Sequence, residues 1–349
     1  MVQVDDDDGD ARGWCVVVGN YCHDVLFRDG AAVGETLGGA AAFVSNVLDA
    51  LLSPSPARYV AKVGPDFAHS VPRSRLLSSP SPTTLFHAHF HSRHHDRRLL
   101  RRVRACDPIF PSDLPDARFS LGLAVGVAGE ILPETLECIV GACDVTFVDV
   151  QGLIRSFDPA DGAVGLVPLR ATPFFRLLPR IALLKASSEE APFVGVEEAR
   201  RRCCVVVTEG ENGCRIYTRE GELRVPPFPA VQVDPTGAGD SFLGGLAAGL
   251  MWGLPVPDAA LLGNFCGALT VGQIGIPKFD PALLQNVKQL LEGRKSQQKL
   301  PRRLAADTRL TWTTTRITIL CESLFFELLS STELTFSELK QSQDNFSYF

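Results

Sequence analysis

Asp234, Thr236, Gly237, Ala238, Gly239 and Asp240 stand within one short run, VDPTGAGDSF, that leads into the apolar, small-residue stretch LGGLAAGLMWG. A glycine-rich turn that opens a helix leaves backbone N–H groups without intrahelical partners, aligned with the positive end of the helix dipole, and so forms an anion cradle. Gly237 and Gly239 let the backbone approach an anion that a side chain would keep away. Asp240 falls in the first helical turn, where the dipole favours an ionised carboxylate. An anion hole beside a carboxylate suits phosphoryl transfer, the hole receiving the group in flight while the carboxylate accepts a proton from an attacking hydroxyl. The residue types therefore point to a hydroxyl kinase without a P-loop. The other reading is a plain helix start, with Asp240 near the cap and the glycines packing helix on sheet.

Either reading needs elements that hold the turn in place. WCVVVGN, Trp14 to Asn20, is a β-branched run ending at Gly and Asn and reads as a first, buried parallel strand. FRDGAAVGETLGG suggests a hairpin leading to a helix over Ala40 to Leu52, followed by the strand RYVAKVG. LGLAVGVAG, VTFVDV, IALLKAS and CCVVVTEG are further strands, separated by helix-length segments such as Pro133 to Gly141 and Val196 to Arg202. The alternation predicts a mostly parallel sheet covered by helices. Helices are expected from Ala238 to Trp252, Asp258 to Gly272 and Pro281 to Glu292. The Ser-Pro pairs between Ser53 and Ser92 belong to loops or edges.

Composition narrows the class. The chain has 349 residues, 45% hydrophobic and 21% charged, which fits a soluble globular protein of one large domain or two ordinary ones. A net charge of -6 gives no footprint for nucleic acid, and Asp5 to Asp8 read as part of an acidic tail over residues 1–12. The 10 cysteines show no CxxC pair or zinc spacing, and no signal-peptide pattern is present, so reduced, packed thiols and a cytoplasmic location are expected. The apolar run from Phe242 to Val256 falls short of the roughly 18 residues of a membrane span. Residues 294–349 turn to Lys, Gln, Thr and Ser and read as a C-terminal extension beyond a domain spanning 13–293.

DPTGAGDSF resembles the C-terminal signature of the ribokinase-like (PfkB) carbohydrate kinases, whose usual form is D-T-x-G-A-G-D. The resemblance implies a three-layer α/β/α fold with a small β lid. It also implies that Asp240 is the base, that Gly237, Ala238 and Gly239 are the anion hole, and that Asp234 and Thr236 hold the loop together with a monovalent cation such as K+. GNYCHD places Asp24 five residues after Gly19, as in the family's first strand, with Asn20 and Asp24 binding substrate hydroxyls. LGGAAAFVSNV resembles the N-terminal signature, in which Gly38 and Gly39 approach the substrate, with Phe43 standing where many members carry Asn. KVGPD looks like the V-G-x-D turn.

In the nucleotide half, LLKASSEEA resembles the N-x-x-E motif, with Ser187 in place of Asn and Glu190 as the acid that orders Mg2+. VTEGENGC resembles the T-x-G-x-x-G turn, which puts Thr208 and Gly210 along the ATP phosphates and Gly213 at the turn. Asn264 falls where the family lines its adenine pocket. Among subfamilies, TTLFHAHF, RACDPIFPSDLP and LAVGVAGEILPETLE look like plant myo-inositol kinases, implying myo-inositol as the small-molecule partner of a monomer or homodimer. A sugar or nucleoside kinase of the same fold and a non-catalytic scaffold member are the alternatives.

Two other segments carry chemistry-bearing residues. HAHFHSRHH, His87 to His95, would line histidines on one face if extended, either as a metal site or as an exposed edge or lid segment. DRRLLRRVRAC, Asp96 to Cys106, reads as a solvated, basic helix face.

Overall fold

The strand β1 (Arg12–Val18) shows why the sheet forms as it does: Cys15 and Val17 enter one hydrophobic cluster while Val16 and Val18 enter another. Successive side chains point to opposite faces, so a run apolar at every position is stable only with cover on both sides. The computed structural model describes residues 12–52, 57–72, 76–91 and 94–297; the acidic tail to residue 11 and the extension from 298 lie outside the described residues.

The further strands, in chain order, are β2 (Cys22–Arg28), β3 (Ala31–Gly38), β4 (Ala57–Val63), β5 (Leu76–Ser78), β6 (Thr84–His91), β7 (His94–Arg104), β8 (Arg118–Ala124), β9 (Cys143–Asp149), β10 (Arg155–Phe157), β11 (Val164–Leu166), β12 (Leu183–Ser187), β13 (Cys204–Thr208), β14 (Cys214–Tyr217) and β15 (Glu222–Val225). The helices are α1 (Ala40–Leu51), α2 (Pro133–Ala142), α3 (Gln151–Ile154), α4 (Ala191–Val194), α5 (Val196–Ala199), α6 (Ala238–Met251), α7 (Val256–Val271) and α8 (Pro281–Gln297).

Nine strands form the central sheet in the order β15-β14-β13-β12-β9-β8-β1-β4-β5, parallel except for β14 and β15. Residues of α1, α6, α7 and α8 join the cluster on one face, and residues of α2, α3, α4 and α5 join the cluster on the other. The result is the expected α/β/α layering. The small residues of α6 serve helix contacts: a methyl group on Gly244 would lie 2.9 Å from Val47 of α1, and one on Gly245 would lie 2.9 Å from Cys266 of α7. Among the described residues no helix is long and apolar enough to cross a membrane. The cysteines there are free and, except for Cys138, buried, and burial pushes the Cys266 thiol up to about 12.

A second, four-stranded sheet in the order β3-β2-β6-β7 forms the lid. Its β2–β3 hairpin turns at Asp29 and Gly30, both with positive φ, as a two-residue turn requires. Two expectations are corrected here. The basic stretch from Asp96 is not a helix face; it lies in strand β7, paired antiparallel with β6, because the lid needs a partner for the backbone groups of β6 more than leucine spacing needs a helix. The segment from Val196 is helical only to Ala199 rather than to Arg202. The histidine run belongs to the lid, but β6 is internal between β2 and β7, and His87 and His89 share a face against the Phe27 ring. The side chain of His91 and those of the following histidines lie outside the described residues.

Candidate active site

Gly237 begins α6 in the left-handed conformation, φ 76°, which an L side chain resists. A methyl group there would also strike the ring of Phe43. Phe43, the departure from the usual Asn, is therefore buried beneath the glycine turn and shapes it from below. Asp234 is buried and holds the entry, its Oδ1 accepting from the Thr236 N–H at 2.9 Å and its own N–H donating to Val271 O. No side chain caps the helix start, the Ala238 N–H donates to Pro235 O at 3.3 Å, and Asp240 stands in the first turn of α6 beside Gly239.

Under that turn lies a group not singled out from the sequence. Lys185, in β12, is buried, and its Nζ donates to Asp149 Oδ2 of β9 at 2.9 Å. A methyl group on Gly239 would lie 2.7 Å from that Nζ, so the ammonium sits directly against the Gly-Ala-Gly backbone. Asp149 Oδ1 accepts from the Gln151 N–H at 3.1 Å, and Gln151 Nε2 donates to Asp240 Oδ1 at 2.9 Å. Lys185, Asp149, Gln151 and Asp240 thus form one continuous network. Burial raises the Asp149 pKa, as do Glu190 and Asp240, while Lys185 pulls it down. Burial opposes the charged ammonium of Lys185, but Asp149, Glu190 and Asp240 together raise its pKa, so the lysine stays protonated. A lysine inside the apolar run IALLKAS was the available signal, since such a charge must find a buried partner.

Of the residues expected to border a nucleotide, Ser187 and Thr208 end β12 and β13. Ser187 and Glu190 bond reciprocally: the Ser187 N–H donates to Glu190 Oε2 at 2.8 Å, and the Glu190 N–H donates to Ser187 Oγ at 3.3 Å. Ser187 pairs with Thr208 across β12 and β13, which brings Thr208 beside it. Gly210 and Gly213 both have positive φ in the turn that follows. Asn264 of α7 is buried and donates Nδ2 to Val225 O at 3.3 Å and to Pro226 O at 2.8 Å, pinning the segment after β15. A methyl on Gly213 would strike the same Val225 carbonyl.

In the lid, Asp24 of β2 lies where a methyl on Gly38 would meet its carboxyl group, so Gly38 makes room for it. Gly39, φ 90°, caps α1, and a methyl there would lie 2.6 Å from Asn20 O. Asn20 is placed differently from its expected role. It is fully buried, its Oδ1 accepts from the Lys62 N–H at 2.8 Å and its Nδ2 donates to Asp107 O at 3.1 Å, which makes it a brace between β4 and the segment after β7. Glu130, also not singled out from the sequence, accepts from the N–H groups of Asn20, Val127 and Ala128 and fixes the adjoining loop.

Asp149, Glu190 and Asp240 around one lysine gather carboxylate oxygens, a hard donor set suited to Mg2+. An anion turn beside a carboxylate held by an amide can take a proton from a hydroxyl and receive a phosphoryl group.

Comparison with known proteins agrees with this geometry. The pfkB family carbohydrate kinase pattern matches residues 177–281, which include Lys185, Glu190 and the glycine turn. The chain is 64% identical to an inositol 3-kinase of Oryza sativa subsp. japonica over 290 residues, 79% of this chain and 73% of that protein. It is 62% identical to an inositol 3-kinase of Zea mays over 301 residues, 82% of this chain and 79% of that protein. A pyrophosphate-dependent kinase in the ribokinase family, solved as a sulfate complex, superposes with a TM-score of 0.65 at 17% identity, covering 77% of this chain and 99% of its own, which shows the shared fold. The sheet order, the glycine turn with its first-turn aspartate and these relatives lead to one placement: the chain belongs to the pfkB family of carbohydrate kinases.

Proposed function

We propose that this chain transfers the γ-phosphoryl group of ATP to one hydroxyl of myo-inositol, the activity for which its plant relatives are named. The observation that carries the chemistry is the network from Lys185 to Asp240 beneath the Gly237–Gly239 turn. In this reading Asp24 and the backbone at Gly38 and Gly39 hold the polyol, and Gln151 fixes Asp240 through Oδ1, leaving Oδ2 to take the hydroxyl proton. Backbone N–H groups of Gly237, Ala238 and Gly239, with Lys185 behind them, receive the negative charge of the group in transfer. Ser187, Thr208, Gly210 and Gly213 border the nucleotide, and Asn264 steadies the wall of its base pocket. Bound ATP with Mg2+ supplies the phosphoryl group and neutralises its oxygens, with Glu190 on the metal side. The buried charge of Asp234 supports a monovalent cation, K+, at the turn.

The test is a panel of myo-inositol, fructose and adenosine with ATP and Mg2+, the product identified by NMR, on the chain and on Asp240→Asn. Myo-inositol is expected as the preferred acceptor, and the variant should lose roughly 100-fold or more in turnover, the usual scale for a positioned base, while calorimetry shows unchanged ATP affinity. Near-normal turnover of Asp240→Asn would remove the base, and preference for another acceptor would remove the substrate.

A further inference from the structure

On the face of β2 opposite Asp24, His23 is buried, with 7% of its side chain exposed, and its Nδ1 lies 3.1 Å from Glu35 Oε1 of β3. His23 pairs with Leu37 and Val25 with Glu35, so His23 and Glu35 are diagonal neighbours on one face of the hairpin. The loop after β4 brings His69 against them, its ring 4.9 Å from that of His23 and edge-on to it. One ligand atom from each of His23, Glu35 and His69 falls within 4.8 Å of the others. The Nε2 atoms of both histidines are buried and make no hydrogen bond. Buried polar nitrogens rarely stay unsatisfied, and two in edge-to-face rings beside a carboxylate call for a shared partner.

We propose that His23, Glu35 and His69 form a zinc site that ties the lid to the central domain. Two imidazoles and one carboxylate are a borderline donor set, suited to Zn2+ and unlike the all-oxygen surroundings that Mg2+ prefers. Three protein ligands leave the fourth tetrahedral position to water. Since β2 carries His23 on one face and Asp24 on the other, the ion would steady the strand that meets the polyol. Zinc occupancy therefore acts on acceptor binding and leaves nucleotide binding alone.

The experiment is calorimetric titration of the chelator-treated full chain with Zn2+ alone, in excess Mg2+ to occupy the oxygen-rich junction. One equivalent should bind, and His69→Ala, on a half-buried loop, should weaken it about 100-fold or more, beyond the usual loss for an outer-shell partner. His23→Ala should do the same, with circular dichroism showing each variant folded, while the paired His87→Ala and His89→Ala change should leave binding intact. Zinc should also shift the KM for myo-inositol without shifting that for ATP in the parent chain, and not in His69→Ala. Absence of binding, unchanged affinity in His69→Ala, or loss of binding only in the His87/His89 variant would overturn the proposal.

Discussion

The junction under α6 and the lid each hold an ion pair, and the two are unlike. Lys185 and Asp149 have 5% and 0% of their side chains exposed, whereas Arg104 of β7 and Asp66, which tie the lid to the loop after β4, have 40% and 35% exposed. A buried pair is costly to break because the survivor keeps its charge in low dielectric, while an exposed pair is replaced by water. The glycines differ in the same way. Gly237 and Gly30 share positive φ, yet a methyl on Gly237 meets the Phe43 ring and one on Gly30 meets nothing within 4 Å. The junction under α6 is thus fixed by packing and pairing, whereas the lid has a turn at Gly30 and an ion pair at Arg104 that tolerate change.

The sharpest way to break this contrast is Lys185→Met, which strands a buried carboxylate. Urea denaturation should show a loss of about 3–5 kcal/mol, and adding Asp149→Leu should restore most of it, as replacement of buried pairs by apolar groups does. A loss below that of Arg104→Ala would erase the distinction. Next, Asp24→Ala on the lid should raise the KM for myo-inositol by about 10-fold or more with the KM for ATP unchanged, since a hydrogen bond to a charged group contributes roughly 1.5–3 kcal/mol. Equal changes in both constants would place Asp24 outside the acceptor pocket.

The glycine comparison is smaller. Gly237→Ala should cost about 1–3 kcal/mol and depress turnover, whereas Gly30→Ala should cost about 1 kcal/mol from backbone strain alone and leave turnover intact. Thermal melts and initial rates separate the two, and equal losses would mean that packing at Phe43 contributes nothing. Smallest is Arg104→Ala, expected to fall within about 1 kcal/mol. Partial burial raises the Asp66 pKa, but hydrogen bonds from Thr83 and the charge of Arg104 outweigh it and hold the carboxyl below its usual range. That contribution is full above the ordinary carboxylate pKa and fades as pH falls through the lower folded value. The difference between parent and Arg104→Ala should therefore shrink in acid melts and stay constant near neutrality.

The glycine turn was readable because its chemistry is local: a helix start, two glycines and an acid within a few residues carry their own signal. Strands flush with β-branched residues were equally plain. Lys185, Asp149 and Gln151 were not, because their network joins positions 36 and 89 residues apart, and only the sheet order makes them neighbours. Strand β7 misled for a related reason. Leu99, Leu100 and Val103 have helical spacing, but the unpaired edge of β6 decides the outcome, and that edge is invisible to a local window. Asn20 takes a bracing role instead, because it is fully buried with both ends of its amide bonded to backbone.

Strand β1 lies between β4 and β8, and its residues pair with partners more than 100 positions downstream, such as Gly13 with Phe119. The turn at Gly237 rests on Phe43, still farther away in the chain. Contacts of such long reach close large loops before they return any stabilisation, which makes folding slow. During synthesis every strand of the sheet leaves the ribosome before α6, and α7 and α8, which share its hydrophobic cluster, follow it. A chain interrupted before Gly237 would leave bare the apolar sheet face that α6, α7 and α8 cover, and would lack Asp240 altogether.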